Sequence, residues 1–513
     1  MTNKKMILSA FLALATFTAC GDQTDNNLTT PGSGQQQPGN TEEDKSDENG
    51  ASKTVWMLTT TATKSSDLKE SELTAKTGES KDTKTLTILP GDIYQEIDGF
   101  GSAITGAAAE NLLKMKQADR TSFLEKTFSP SKGYGFSYIR VPIGCSDFSR
   151  TEYTLCDTEG IDNFALTKEE TDLLIPVIKE ILAINPEVKV LGSPWTAPRW
   201  MKVNNLKDLL PYSSWTSGQL NPKYYEDYGT YFVKWIQALK DNGIDVYAVT
   251  PQNEPLNRGN SASMYMGWEE ERDFIKQGLG PKLREAGLNT KIYAFDHNYN
   301  YDGIADQQSY PLKIYEDSEA AQYIAGAAYH NYGGTRAELI NVHKAAPDKE
   351  LVFTESTDGE WNDGGEDKAD ENVERRLLST MEDLALGTVN NWCKGVILWN
   401  LMLDQKHGPF SPADGSCKTG YGTVDLLFDG SVRKNAYYYI LAHMSSVAQP
   451  GAVRIATTGN QPNVISSAFR NPDGTYGLVL LNKKPEGVDI TVADGEWYFP
   501  VSIPGNSVVS LKW

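Results

Sequence analysis

Two short apolar runs in this chain end in a carboxylate, and both carboxylates are placed to do chemistry. The first run is Val246-Tyr-Ala-Val-Thr-Pro-Gln-Asn-Glu-Pro255; it stops at Pro251 and hands over to Gln252, Asn253 and Glu254. The second is Glu350-Leu-Val-Phe-Thr-Glu355. A carboxylate at the mouth of a buried strand is unfavourable unless it is paired or used. A lone one most often belongs to a structural ion pair. Two of them suggest a division of labour, one carboxyl giving a proton and the other attacking or supporting positive charge. Glu254 and Glu355 are the candidate catalytic pair. Asp358 and Glu360, just past Glu355, read as loop solvation.

Other strand ends collect polar and aromatic residues. These are Ile139-Arg-Val-Pro-Ile-Gly-Cys-Ser-Asp147, Ser193-Pro-Trp-Thr-Ala-Pro-Arg-Trp200, Tyr329-His-Asn-Tyr332 and Trp399-Asn400. Each alone has a structural explanation, since any Trp can pack and any Arg can pair. Together they describe a pocket with two carboxylates, an Arg, a His, a Tyr, an Asn and Trp walls. That set suits cleavage of a glycosidic bond through an oxocarbenium-like centre.

The elements that must position these residues alternate regularly. Candidate strands span 95–99, 136–143, 188–193, 246–250, 291–295, 324–329, 351–354 and 395–399, with helical patterns such as 167–184, 224–242, 268–286 and 371–387 between them. Eight strands alternating with helices predict an α/β fold of the (β/α)8 TIM-barrel type, with its site on the loops after the strands. Glu254 and Glu355 then fall on the fourth and seventh strands. A last helix near 435–444 is followed by β texture at 453–457, 464–469, 476–481, 488–491 and 507–513. Thr- and Val-rich runs between 52 and 89 suggest one or two further strands. The simplest assembly is a side β-sandwich of the C-terminal strands completed by this N-terminal segment. The expected divisions are 52–94 and 447–513 for the sandwich and 95–446 for the barrel.

The composition excludes some classes. A formal net charge of −20 argues against a nucleic-acid partner, which needs a basic surface. None of the five cysteines forms a Cys-x-x-Cys pair, and the five histidines show no metal-ligand spacing, so neither a metal nor a cofactor is expected. Cys145 and Cys156 are near enough in sequence to bridge a loop in an oxidising compartment; pairing of Cys393 and Cys417 is left open. Gly99-Phe-Gly101 with Gly106 lacks the Gly-x-Gly-x-x-Gly spacing of a nucleotide loop and reads as close turning at a barrel mouth.

Residues 1–20 carry Lys4, Lys5 and a short apolar run ending Phe17-Thr-Ala-Cys20. The run is too short to span a bilayer and reads as an export signal. A small residue before Cys20 resembles a bacterial lipobox, although Phe17 stands where Leu is usual. Cleavage before Cys20 and lipid attachment to it imply a lipoprotein of the outer membrane or surface of a Gram-negative bacterium. Residues 21–51 are polar and acidic and read as a disordered tether.

The chain resembles glycoside hydrolase family 30, which includes lysosomal glucosylceramidase and endo-β-1,6-glucanases. The matching stretches are Gln95-Glu-Ile-Asp-Gly-Phe-Gly-Ser-Ala-Ile-Thr105, Ile139-Arg-Val-Pro142 with Asp147-Phe-Ser149, Ser193-Pro-Trp-Thr-Ala-Pro198, Gln252-Asn-Glu-Pro255, Phe353-Thr-Glu355 and Trp399-Asn-Leu401. The resemblance implies a retaining mechanism, with Glu254 as general acid/base and Glu355 as nucleophile, their carboxyls about 5–5.5 Å apart. Glu254 is then expected to have a raised pKa and Glu355 to stay ionised. Arg140, His330 and Tyr332 match family positions around the nucleophile. Asn253 matches the residue that binds the sugar 2-OH. Asp147, Trp195 and Trp399 match those that hold the other hydroxyls and stack on the ring. Endo-cleavage of β-1,6-glucan is the leading expectation. An exo-acting β-glucosidase or glucosylceramidase-like enzyme is the alternative within the class, and a non-catalytic glycan-binding lipoprotein the alternative outside it.

Overall fold

The computed structural model describes residues 51–299 and 304–513. The lipobox and nearly all of the tether lie outside the described residues. The chain opens with three strands, β1 (Ser52–Thr61), β2 (Lys69–Thr77) and β3 (Thr85–Glu96). Eight parallel strands follow: β4 (Gly99–Ser102), β5 (Tyr138–Pro142), β6 (Lys189–Ser193), β7 (Ala248–Val249), β8 (Lys291–Asn298), β9 (Ile324–His330), β10 (Glu350–Glu355) and β11 (Cys393–Leu398). Six more complete the chain: β12 (Val453–Thr458), β13 (Val464–Arg470), β14 (Tyr476–Asn482), β15 (Val488–Ala493), β16 (Trp497–Ile503) and β17 (Ser507–Lys512).

The parallel strands form the expected barrel. Seven of the eight lie where the sequence places them. The first does not: 95–96 finishes β3 of the other sheet, and β4 begins at Gly99. The Gln95 amide explains the shift, because it donates to Val389 O at 2.6 Å and Cys393 O at 3.0 Å and so joins the two sheets. The barrel closes between β4 and β5, where Ser137 N–H donates to Phe100 O and Ile104 N–H to Arg140 O, each at 2.9 Å. Gly101 is required there: a Cβ would sit 2.0 Å from Tyr138 O. Gly99 and Gly101 of the Gly99-Phe-Gly101 pattern therefore belong to a barrel strand, and Gly106 opens the helix after it.

Along each strand alternate side chains point inward, and the barrel fills in layers. The middle layer is apolar: Tyr138, Leu191, Ala248, Tyr293, Ala328, Val352 and Ile397, one from each strand from β5 to β11. Below it is a charged floor in which Lys189 binds Asp98, and Lys291, Lys394 and the Tyr293 hydroxyl all converge on Glu350. Helices such as Tyr225–Asp241 cover the outside and bury one aromatic face, including Tyr228, Phe232 and Trp235.

The other strands make a nine-stranded ring in the order β1-β2-β16-β15-β3-β12-β13-β14-β17, with β17 returning to β1. This is the expected sandwich, its sheets joined at their edges so that no strand is left open. Two strands escaped the sequence reading. In β2 only Ala75 is buried, so the run Lys69-Glu-Ser-Glu looks like loop. In β16, Pro500 interrupts the pattern but faces solvent, where its missing N–H is tolerated.

His443 joins the two bodies. It sits on the helix Ala436–Ser445, with Nδ1 2.8 Å from Ser510 Oγ and Nε2 2.9 Å from Thr60 Oγ1. Burial drives its pKa from 6.5 down to about 3. The unfolded chain takes up this proton below about pH 6.5 and the folded chain does not, so stability is lost as pH falls through that window. His443→Gln leaves a buried hydroxyl short of a partner and costs about 1–3 kcal/mol at neutral pH. Urea unfolding at stepped pH values should show both this loss and a flatter acid slope in the variant.

Candidate active site

Two residues above the apolar layer, the same inward positions turn polar. They are Arg140, Ser193, Thr250, His330, Thr354 and Trp399, at or just past the ends of β5, β6, β7, β9, β10 and β11. On β8 the register shifts between Phe295 and His297, and Phe295 and Asp296 take left-handed φ values of 77° and 59°. This bulge puts Asp296 into the polar layer in place of Phe295.

Asp296 is the hub of that layer. Its Oδ2 accepts from Arg140 Nη2 at 2.7 Å, Ser193 Oγ at 2.5 Å and Thr250 Oγ1 at 2.7 Å. Its Oδ1 accepts from Thr354 Oγ1 at 2.6 Å and from His330 Nε2 at 3.0 Å. Five strands therefore converge on one buried carboxylate. Burial alone would raise its pKa, but the Arg140 charge and these donors hold it well below the usual range.

Arg140 carries this order to Glu355. Its Nη1 donates to Glu355 Oε2 at 2.5 Å, while Nη2 also reaches Asn253 Oδ1 at 2.6 Å and Ser193 Oγ at 3.2 Å. Tyr332 donates its hydroxyl to Glu355 Oε1 at 3.1 Å. Glu254 sits at a left-handed φ of 45°, its N–H bonded to Asp296 O at 3.0 Å. Held backbone strain of this kind aims side chains at functional sites. Asn257 and Asn260 donate to Glu254 Oε2 at 2.7 and 3.1 Å. His330 Nδ1 faces both carboxylates, 3.5 Å from Glu254 Oε1 and 3.9 Å from Glu355 Oε1. The two glutamates are thus brought together across one imidazole.

The electrostatics run opposite to the sequence expectation. Burial pushes Glu254 up, but the nearness of His330 and His297, 3.5 and 3.6 Å from its Oε1, outweighs it and holds its pKa below the usual carboxylate range. Burial raises Glu355, against His330 and Arg140 and helped by the Glu254 charge. Burial also opposes charge on His330, yet Glu355, Asp296 and Glu254 lift it to about 9. The expectation set Arg140 and His330 beside Glu355 alone; His330 also reaches Glu254, and His297 was missed. His330 Nδ1, 3.5 Å from Glu254 Oε1, is the basic group best placed to store the proton that Glu254 must give.

Glu254, Glu355, Asp147, Tyr332 and Trp399 line one cavity of about 440 Å³, together with His297 and Cys417. Asp147 Oδ1 is buried with no protein partner; burial, then Glu355 and Glu254, push its pKa far up. Trp195 does not line the cavity. It stacks behind Trp399, with centroids 5.1 Å apart and planes at 27°, and the Arg140 guanidinium lies 5.0 and 5.5 Å from the two rings. Asn253 has its oxygen committed to Arg140, which leaves its NH2 end for a ligand. Asp358 is not loop solvation: it is buried and accepts from Asn362 at 2.6 Å and Asn372 at 2.7 Å. Cys145, Cys156, Cys393 and Cys417 are all free thiols, so neither bridge forms. Asp296 and His297 were missed because the polar end of the fifth strand, Asp296-His-Asn298, lies just beyond the run read as apolar.

One ligand atom each from Glu254, His297 and His330 lie within 4.8 Å of one another, a set with metal-ligand chemistry that no sequence spacing reveals. Among the described residues no helix is long and apolar enough to cross a membrane.

The family model for the glycosyl hydrolase family 30 TIM-barrel domain matches residues 97–447, and that for the family's beta sandwich domain matches 451–511. The chain belongs to glycoside hydrolase family 30. Its barrel is therefore that of a glycoside hydrolase, with the cavity at the expected end. An endo-1,6-beta-D-glucanase of Neurospora crassa is 30% identical over 431 residues, covering 80% of this chain and 84% of that protein. The lysosomal acid glucosylceramidase of Mus musculus is 29% identical, with 83% of each chain covered. Among solved structures, the endo-beta1,6-glucanase BT3312 superposes with a TM-score of 0.86 at 57% identity, covering 90% of this chain and 99% of that one.

The His330 proton is present below about pH 9 and lost above it. For an alkyl β-glucoside, whose leaving group needs a proton, kcat/KM should fall along an alkaline limb near that pH. His330→Gln should bring the limb down by about one pH unit or more. An unmoved limb would remove His330 from the proton store.

Proposed function

We propose that this chain is a retaining endo-β-1,6-glucanase. The observation that carries the reading is the pairing of Glu254 and Glu355 across His330 Nδ1, at the ends of the fourth and seventh barrel strands. It is supported by 57% identity to a solved endo-β1,6-glucanase. In this mechanism the Glu355 carboxylate, oriented by Arg140 and Tyr332, attacks the anomeric carbon. Glu254 gives its proton to the departing glycosidic oxygen, and a glycosyl ester forms on Glu355. Glu254 then takes a proton from the water that cleaves this ester. Transfer from His330 loads Glu254 without changing the net charge of the pair. Asp147 offers its open oxygen to sugar hydroxyls, Asn253 its NH2 to the 2-OH, and Trp399 its ring to the sugar face. The mechanism uses no metal or cofactor.

The sandwich of 52–96 with the strands after 447 then serves as a brace for the catalytic barrel of 97–447, and 21–51 as the tether. We infer an exported lipoprotein held to the outer membrane or cell surface by lipid on Cys20, with a β-glucan as its partner and no nucleic acid. Fractionation of Cys20→Ala tests the anchor: the variant should leave the membrane fraction, and unchanged membrane retention would contradict it.

Hydrolysis of β-1,6-glucan, β-1,3-glucan, glucuronoxylan, an aryl β-glucoside and glucosylceramide should give short oligosaccharides from β-1,6-glucan alone among the polymers. Glucose as sole product, or cleavage of the lipid instead, would move the reading to an exo-acting β-glucosidase or glucosylceramidase-like enzyme. Binding without turnover would make it a glycan-binding lipoprotein. Glu355→Gln should cost at least about 10³-fold on every substrate. Glu254→Gln should cost about 10²–10⁴-fold on glucan but much less on an aryl glucoside, whose leaving group needs no proton.

A further inference from the structure

Two aromatic rings stand where two cavities meet. Tyr332 and Trp361 line the cavity that holds Glu254 and Glu355, and both also line a neighbouring cavity of about 760 Å³. They are the exposed side chains of the first cavity, Tyr332 at 42% and Trp361 at 46%. Asp147 and Trp399, on the same cavity, are buried. Open aromatic surface at the mouth of a polar cavity marks a binding face.

The Trp361 ring is seated rather than loose. A Cβ on Gly359 would come 2.4 Å from its Cζ3, and one on Gly420 would come 3.5 Å from its Cη2. Gly359 and Gly420 face each other in an antiparallel bridge. Glu360 N–H donates to Thr419 O at 3.0 Å, and Tyr421 N–H to Asp358 O at 2.8 Å. The benzo end of the indole therefore rests on bare backbone, held by the buried Asp358 anchor, while the rest stays open. Packing alone gives no reason to leave a tryptophan half exposed on such a support. Beyond it the second cavity presents Arg336 and Asp383, an exposed planar pair at 2.6 Å suited to hydroxyl groups.

We propose that Trp361, with Tyr332 beside it, is the stacking platform for the glucose unit on the leaving-group side of the cut, and that the neighbouring cavity takes the units after it. The ligand class is a β-linked gluco-oligosaccharide. The sugar being cut lies against the buried Glu355, Asp147 and Trp399, so the rest of the chain leaves over the exposed Tyr332–Trp361 rim. This rests on the glucanase reading above.

The test compares wild type, Trp361→Ala and Trp361→Tyr on β-1,6-linked gluco-oligosaccharides of increasing length and on β-glucosyl fluoride, whose leaving group is too small to reach the platform, with thermal unfolding as a folding control. Trp361→Ala should lower kcat/KM on the longer oligosaccharides about tenfold or more, mainly through KM, and change the glucosyl fluoride about twofold or less. Trp361→Tyr should recover most of the loss. An equal fall on all substrates would make Trp361 a mere wall of the cavity and overturn the proposal, as would no fall on any. If wild type ignores the β-1,6 series but cleaves another β-glucoside, the linkage reading fails by itself. The same length comparison on that substrate then decides the platform.

Discussion

The buried pair of Arg140 and Asp296 holds the rest of this site in place. The guanidinium and the carboxylate are both fully enclosed and lie 2.7 Å apart. Neither would be tolerated there alone, because an unpaired charge in the interior is strongly unfavourable. Each also has partners beyond the other. Asp296 takes donors from five strands, and Arg140 gives to Glu355, Asn253 and Ser193. Because the partners come from different strands, the pair works as a clamp on the open end of the barrel. It fixes the angle at which Glu355 is presented and, through the Asp296 backbone carbonyl, the strained turn at Glu254.

The same clamp organises the proton. Asp296 takes the Nε2 side of His330, which turns Nδ1 toward the two glutamates. An imidazole between three carboxylates keeps its proton to high pH, and that proton sits next to the group that must donate it. A carboxyl with a permanently raised pKa is one way to hold an acid ready. Here a low resting pKa on Glu254 and a loaded neighbour serve the same end.

Much of this was legible in the sequence because the barrel repeats one physical rule. Apolar runs of strand length followed by polar residues mark both the strands and the end that faces substrate, and Arg140, His330, Glu254 and Glu355 all fell out of that pattern. What escaped had local causes. Asp296 lies behind a bulge, which breaks the alternation that would have flagged it. Trp195 and Trp399 look equivalent as strand-end tryptophans, but only packing shows that one backs the other. Trp361 belongs to a loop whose course is set by Gly359 meeting Gly420, a contact between distant parts of the chain. The direction of the Glu254 shift rests on His330, which the sequence placed beside Glu355 only, and on His297, which it missed.

The central claim is that Glu355 forms a covalent bond to the sugar in this setting. Incubation with an activated 2-deoxy-2-fluoro-β-glucoside slows the second step more than the first and lets that ester accumulate. Digestion and mass spectrometry then locate it. The account predicts one fluoroglucosyl adduct on the peptide that contains Glu355, absent from Glu355→Gln. An adduct on another carboxylate, or rapid turnover of the activated glycoside with inversion at the anomeric centre, would contradict it.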